Sequence, residues 1–328
     1  MNTRHLIDPD IAGLVDRLSL VDLTDDDLTR ARVLNAVDPR LFDQSLVPTA
    51  GEVTRRDGSG STRYLLFDPP SRPHNSPAML HLHGGGMVFG SAEMSRIAMP
   101  SLALHHQMPI ISVDYRLAPE TRFPWQIEDA ATILEWMVEN HQKLDIDPAS
   151  IFVMGESAGG GLAAGLAIML RDTAGPALAG QILTYPMLDH RTGSDSDPYD
   201  HGNAGEFVWT RQNNIFGWRA LAGDLAEDDP RISWFSPSLA DDLSNLPPAF
   251  IAVGDLDLFA AENIAYVARL LAAGVPTEFH VYPSAIHGFD LLRKSALACR
   301  YRTDLDHAIE RVAGPGQAMP SETSGGLK

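Results

Sequence analysis

A single cysteine, Cys299, stands in 328 residues. That excludes an intrachain disulfide and fits a reducing cytoplasm. Cys299 lies in no motif and reads as a small packing residue. No apolar run reaches the roughly 18 residues that a membrane-spanning helix needs. The first ten residues hold no apolar stretch of the secretory type, so no signal peptide is expected. Lysine is scarce, three residues (Lys143, Lys294, Lys328) against twenty-two arginines, which makes lysine Schiff-base chemistry a weak proposal. Positive charge is in deficit: the formal net charge is −18. Nucleic acids and anionic membranes are therefore poor partners. The 44% of hydrophobic residues supplies one large core or two modest ones.

What is present is organised around residues 151–161. Ile151, Phe152, Val153 and Met154 read as a buried strand. Gly155-Glu156-Ser157-Ala158-Gly159 gives the pattern G-x-S-x-G, and a small, alanine-rich run from Gly160 to Leu170 reads as a helix. Strand, sharp turn and helix are the context of a nucleophile elbow. A helix N-terminus behind the serine favours developing negative charge.

Residues 1 to about 45 carry Ile11, Leu14, Val15 and Leu18, then Leu28, Ala31, Arg32 and Leu34, at the spacing of two short amphipathic helices. By itself this segment reads as packing rather than as a lid. Strands follow at Glu52–Arg56 and Ser61–Phe67, around an Asp57-Gly58-Ser59-Gly60 turn. Further strands are expected at 78–83, 109–114, 177–185, 248–253 and 277–282. Helices are expected at 123–141, 260–273 and 296–312. Residues 190–235 lose this rhythm and form an insertion, with a helix over Phe207–Ala222 rich in aromatics. Residues 314–328 read as a disordered tail. Strands alternating with helices indicate an α/β fold with a mostly parallel sheet, whose site lies at the carboxyl ends of the strands.

Four groups fall at those ends: Gly84-Gly85-Gly86, Ser157, Asp255 or Asp257, and His287. A triglycine loop after a strand exposes N–H groups that suit an oxyanion. Serine needs a base, and the base needs an acid to fix its tautomer. The order Ser, Asp, His is the one found in α/β-hydrolases. His81 and His83 share a strand face, but no third ligand has metal-site spacing near them, and no metal is expected. Met87, Val88 and Phe89 read equally as acyl-pocket wall and as core. Tyr115, Arg116 and Asp114 read as braces of the glycine loop rather than as substrate ligands.

Taken together, His83-Gly84-Gly85-Gly86, Asp114-Tyr115-Arg116-Leu117-Ala118-Pro119-Glu120, Gly155-Glu156-Ser157-Ala158-Gly159 and Ile286-His287-Gly288-Phe289 resemble the hormone-sensitive-lipase-like esterases over about residues 60–295. The resemblance implies an α/β-hydrolase core with an eight-stranded sheet and a helical cap. The cap would comprise an N-terminal segment (1–45) and the insertion (190–235), with the core divided into 46–189 and 236–313. The resemblance also implies cofactor-free hydrolysis of short- to medium-chain carboxylic esters. Matching the family's acid-bearing stretch to Asp257–Asn263 assigns the acid to Asp257, although Ala260 and Ala261 depart from that pattern. The implied catalytic residues are Ser157, Asp257 and His287, with the N–H groups of Gly84, Gly85 and Ala158 as the oxyanion hole. Glu156 falls where the family often has aspartate and reads as support. The alternatives are an amide, carbamate or lactone hydrolase with the same triad, or a non-catalytic ligand binder. The expected partner is a small ester in the cytoplasm, and the last strand, at a sheet edge, suits a homodimer.

Overall fold

The computed structural model describes residues 3–17, 22–34, 36–226 and 228–313. The tail at 314–328 lies outside the described residues. An eight-stranded sheet runs through the molecule: β1 (Thr49–Thr54), β2 (Ser61–Phe67), β3 (Ser76–Leu82), β4 (Ile110–Asp114), β5 (Ile146–Glu156), β6 (Gln181–Thr184), β7 (Ala249–Gly254) and β8 (Thr277–Tyr282), in the order β1-β2-β4-β3-β5-β6-β7-β8. β1 and β2 are antiparallel, β2 is antiparallel to β4, and the remaining pairs are parallel. The Asp57–Gly60 turn closes the β1–β2 hairpin, and Asp57 accepts the Ser59 N–H at 2.8 Å.

The helices in chain order are α1 (Gly13–Arg17), α2 (Leu28–Leu34), α3 (Met99–His106), α4 (Trp125–Glu139), α5 (His141–Leu144), α6 (Ala158–Asp172), α7 (Arg211–Ala222), α8 (Ile232–Phe235), α9 (Ala260–Ala272) and α10 (Ala296–Ala313). α4 begins two residues later than the sequence pattern suggests, after Pro124. β5 begins at Ile146, five residues before the Ile151 start read from the sequence. α3 is a helix that the sequence reading leaves without an element.

Alternation along the strands divides the core into two. Leu80, Leu82, Ile111, Val113, Ile151, Val153 and Ile251 face α4, α6 and α9. Met79, Ile110, Phe152, Met154, Phe250 and Ala252 face α3 and α10. Burial on both faces explains why β3, β4, β5 and β7 read as continuous apolar runs rather than alternating ones.

Cys299 departs from its expected role, because it is exposed. α10 buries Leu297, Ala298, Tyr301, Leu305, Ala308 and Ile309. Cys299 falls off that stripe and faces outward.

Residues 190–235 lie between β6 and β7 and carry α7 and α8. The N-terminal segment meets them directly. Leu23 donates its N–H to Asn213 Oδ1 at 2.9 Å, and Thr3 donates from N and Oγ1 to Glu206 Oε2 at 2.7 and 2.6 Å.

Candidate active site

The elbow forms because the start of α6 passes β5 and the end of β3 too closely for side chains. A Cβ on Gly155 would lie 2.2 Å from Gly159 O, and one on Gly159 would lie 2.0 Å from Leu82 O. Between them Ser157 holds φ +56° and ψ −120°, a backbone region that costs a non-glycine residue about 1–3 kcal/mol. Three backbone bonds hold it there: Ser157 N–H to Thr184 O at 2.9 Å, and the N–H groups of Gly161 and Met187 to Ser157 O, each at 3.0 Å. Met187 lies beyond β6, so the strained residue is fixed from two elements.

The hydroxyl meets His287 from the loop after β8. His287 Nε2 lies 2.9 Å from Ser157 Oγ, and His287 Nδ1 lies 2.7 Å from Asp257 Oδ2. Asp257 is fully buried and its other oxygen accepts the Phe259 N–H at 2.9 Å. Asp255, the other candidate acid, is exposed. All three side chains sit at carboxyl ends of strands, after β5, β7 and β8, where the fold class puts a site.

The glycine loop leaves β3 beside them. Among the described residues, no backbone or side-chain acceptor takes up the N–H of Gly84, Gly85 or Ala158. Beneath the loop, Tyr115 donates its hydroxyl to His83 O at 2.7 Å, and the His83 and Tyr115 rings stack with centroids 4.1 Å apart. Burial holds the His83 pKa down to about 4, so its imidazole is neutral near pH 7. Nδ1, 2.8 Å from Gly84 O, then carries the proton and donates it. Arg116 makes a bidentate pair with buried Asp129, at 2.9 and 2.8 Å. Asp114 accepts the Ala92 N–H at 2.9 Å. Met87 and Val88 are buried in the core, with Phe89 packed against it.

His81 and His83 do not converge on a metal position. His81 Nδ1 lies 2.9 Å from Ser112 Oγ, and its Nε2 lies 3.0 Å from Glu156 Oε2. A different group, His105, His106 and Asp306, joins α3 to α10 with ligand atoms within 4.8 Å of one another. His106 there already hydrogen-bonds Asp306 at 3.0 Å.

The sequence reading misses several neighbours of the site. Trp209, from the insertion, packs so tightly on the glycine loop that a Cβ on Gly86 would lie 2.0 Å from its ring. Its Nε1–H donates to Asn214 Oδ1 at 3.1 Å. Glu262 on α9 is buried, and its carboxylate accepts the Leu188 N–H at 2.7 Å and the Thr192 hydroxyl. Burial pushes the Glu262 pKa well above the usual carboxylate range. Tyr185, at the end of β6, lies against His287 with ring centroids 4.6 Å apart. Residue type alone carries no signal for the contacts of Trp209 with Gly86, Glu262 with Leu188 and Thr192, or Tyr185 with His287, because each joins segments distant in the chain.

Comparison with known proteins agrees with this geometry. A family model described as alpha/beta hydrolase fold matches residues 79–291. The carboxylesterase NlhH of Mycobacterium tuberculosis is 34% identical over 237 residues, covering 71% of this chain and 72% of the relative. The ethyl acetate hydrolase of Pseudomonas putida is 35% identical over 242 residues, covering 72% and 74%. Among solved structures, a bacterial heroin esterase superposes with a TM-score of 0.87 at 32% identity, over 95% of this chain and all (100%) of that one. This chain belongs to the α/β-hydrolase-fold family, in its hormone-sensitive-lipase-like branch.

Proposed function

We propose that this protein is a carboxylic ester hydrolase acting on short- to medium-chain esters through an acyl-enzyme on Ser157. The observation that carries the reading is the continuous contact from Asp257 Oδ2 to His287 Nδ1 and from His287 Nε2 to Ser157 Oγ, at 2.7 and 2.9 Å. Asp257 fixes the tautomer in which Nε2 is free to accept a proton and stabilises the imidazolium that forms. Ser157 Oγ attacks the ester carbonyl as His287 takes its proton. The N–H groups of Gly84, Gly85 and Ala158 receive the developing oxyanion, aided by the N-terminus of α6. The C–O bond to the alcohol breaks, and His287 returns the proton to the leaving oxygen. Water then attacks the acyl-enzyme by the same route, and the carboxylic acid leaves.

The names of the relatives, carboxylesterase and ethyl acetate hydrolase, support ester rather than amide chemistry. We assign the cap to residues 1–45 and 190–235 and the catalytic core to 46–189 and 236–313. The Leu23–Asn213 and Thr3–Glu206 bonds support joining the two cap segments. No helix among the described residues is long and apolar enough to cross a membrane. The reading places the enzyme in the cytoplasm, with a small ester as its partner and a homodimer as its assembly.

Hydrolysis of p-nitrophenyl esters from acetate to palmitate tests the function, alongside a serine-directed phosphonate and intact mass. Turnover of the shorter esters, blocked as one adduct forms on Ser157, is the expected result. Ser157→Ala is expected to fold, to lose turnover and to form no adduct. An active, folded Ser157→Ala protein rejects the assignment. An adduct without ester turnover moves the substrate class to amides, carbamates or lactones.

A further inference from the structure

Tyr185 is the first residue after β6, and its φ is +37°. A left-handed backbone at a bulky aromatic residue is strained and persists only where the surroundings over-determine it. Here they do. The Tyr185 N–H donates to Ala252 O on β7 at 2.6 Å. Its hydroxyl donates to Asp290 Oδ1 at 2.6 Å. Its ring meets His287 at 4.6 Å, tilted by 59°, and meets Phe289 edge-on at 5.9 Å. The residue is 4% exposed. Burial raises the Tyr185 pKa well above the ordinary phenol value, so the hydroxyl keeps its proton and donates. Asp290 stands three residues beyond His287 on the same loop. The Tyr185–Asp290 bond therefore ties the loop that bears the histidine to the end of β6, on the far side of Ser157 in the sheet order from β3 and its glycine loop.

Asp257 holds His287 through Nδ1 alone. One hydrogen bond fixes an atom but leaves the ring plane free to tilt about that contact. Phe259 approaches the imidazole edge-on at 5.4 Å, and Tyr185 covers it at the shorter distance. We propose that Tyr185, locked by its hydroxyl to Asp290, is a positioning residue that sets the plane of His287 so that Nε2 stays aimed at Ser157 Oγ. The strain at Tyr185 has a use on this account: it turns the ring back toward the histidine where the chain leaves the sheet. The inference rests on the Ser157–His287–Asp257 reading above.

The test measures His287-assisted attack without assuming the substrate. With a p-nitrophenyl phosphonate, Ser157 Oγ bonds phosphorus, p-nitrophenolate leaves with the bonding electrons, and the serine proton passes to His287. Tyr185→Phe keeps the ring and removes the lock. Its phosphonylation rate is expected to fall about tenfold, within the range that small misplacements of a reacting group produce. Ester kcat should fall in parallel with KM unchanged. Asp290→Leu should fall equally, and the Tyr185→Phe/Asp290→Leu double variant should fall no further, since both remove one bond. Asp290→Asn keeps an acceptor and should retain more of the rate than Asp290→Leu. A wild-type rate in folded Tyr185→Phe overturns the inference. So does a rise in KM at unchanged kcat, or a double variant whose loss is the product of the single losses. If Tyr185→Phe does not fold, equal rates in Asp290→Asn and Asp290→Leu overturn it. A wild-type protein that forms no phosphonate adduct rejects the underlying triad instead.

Discussion

Asp257 and Glu262 are two buried carboxyl groups five residues apart with opposite tasks. Asp257 faces His287 Nδ1 and the Phe259 N–H. An amide at 257 can present its N–H₂ to the imidazole and favour the wrong tautomer. Asp257→Asn is therefore expected to fold and to lower kcat by about 10⁴-fold, the size known for this change in a serine protease triad. Steady-state kinetics with a soluble ester checks it. Glu262 faces the Leu188 N–H and the Thr192 hydroxyl, away from bulk water. Its folded pKa lies above its ordinary value of 4.5. A carboxyl raised in this way contributes stability that is full below its unfolded pKa and is lost as pH rises through the folded one. Glu262→Gln removes that titration. Denaturant midpoints measured upward from pH 4.5 should fall less steeply in the variant than in the parent. Parallel curves would show that Glu262 does not titrate in this way.

At the scale of the element, the elbow is a packing problem before it is a chemical one. Gly155 lets β5 meet the start of α6 at backbone contact, Gly159 lets α6 meet the end of β3, and the main chain of Ser157 is bent to suit. Gly159→Val would drive a branched side chain into Leu82 O, which stands 2.0 Å from the position of the first added carbon. Backbone cannot retreat as a flexible side chain can. The expected outcome is a loss of more than about 4 kcal/mol, seen as insoluble or unfolded protein. A soluble Gly159→Val protein with parental melting behaviour would contradict the close crossing. The glycine loop is a gentler case. Gly86→Ala meets the Trp209 ring rather than backbone, but Gly86 holds φ +58°, so it should fold with a loss of about 1–3 kcal/mol, read as a lower melting temperature, while displacing that ring.

Across the whole molecule, the site is flanked by two segments distant from each other in the sequence. Trp209 and Asn213 belong to the insertion. Leu23 comes from the N-terminal segment and bonds Asn213, and Arg32 reaches the glycine loop through Val88 O at 2.8 Å and Glu120 at 2.6 Å. Removing residues 1–35 breaks these contacts together. The truncated enzyme should melt several degrees lower, and its KM should rise more than its kcat falls, because the core bearing Ser157, Asp257 and His287, the proposed triad, remains. At the other side, among the described residues β8 pairs with β7 alone and forms one edge of the sheet. An open edge invites a strand from a second copy. Light scattering after size exclusion is expected to give twice the 35.6 kDa chain mass, and the chain mass alone would reject edge pairing.

Much was decided by the sequence itself. Apolar runs ending in glycine, serine or aspartate locate the central strands, because a strand buried on both faces has no polar alternation to blur it. The elbow glycines, the triglycine loop and the order Ser157, Asp257, His287 are local or ordinal features, readable without coordinates. The choice of Asp257 over Asp255 rests on motif position; Asp257 is buried and Asp255 exposed. Tertiary structure alone decided what touches what across long separations. Cys299 turned outward because the phase of α10 is set by its stripe of six buried residues. His81 became a partner of Glu156 rather than of His83. Trp209 came to rest on Gly86, and Tyr185 beneath His287. Such contacts depend on how elements a hundred residues apart pack together, and that packing is fixed by the shape of the filled core, which no local pattern of residues encodes.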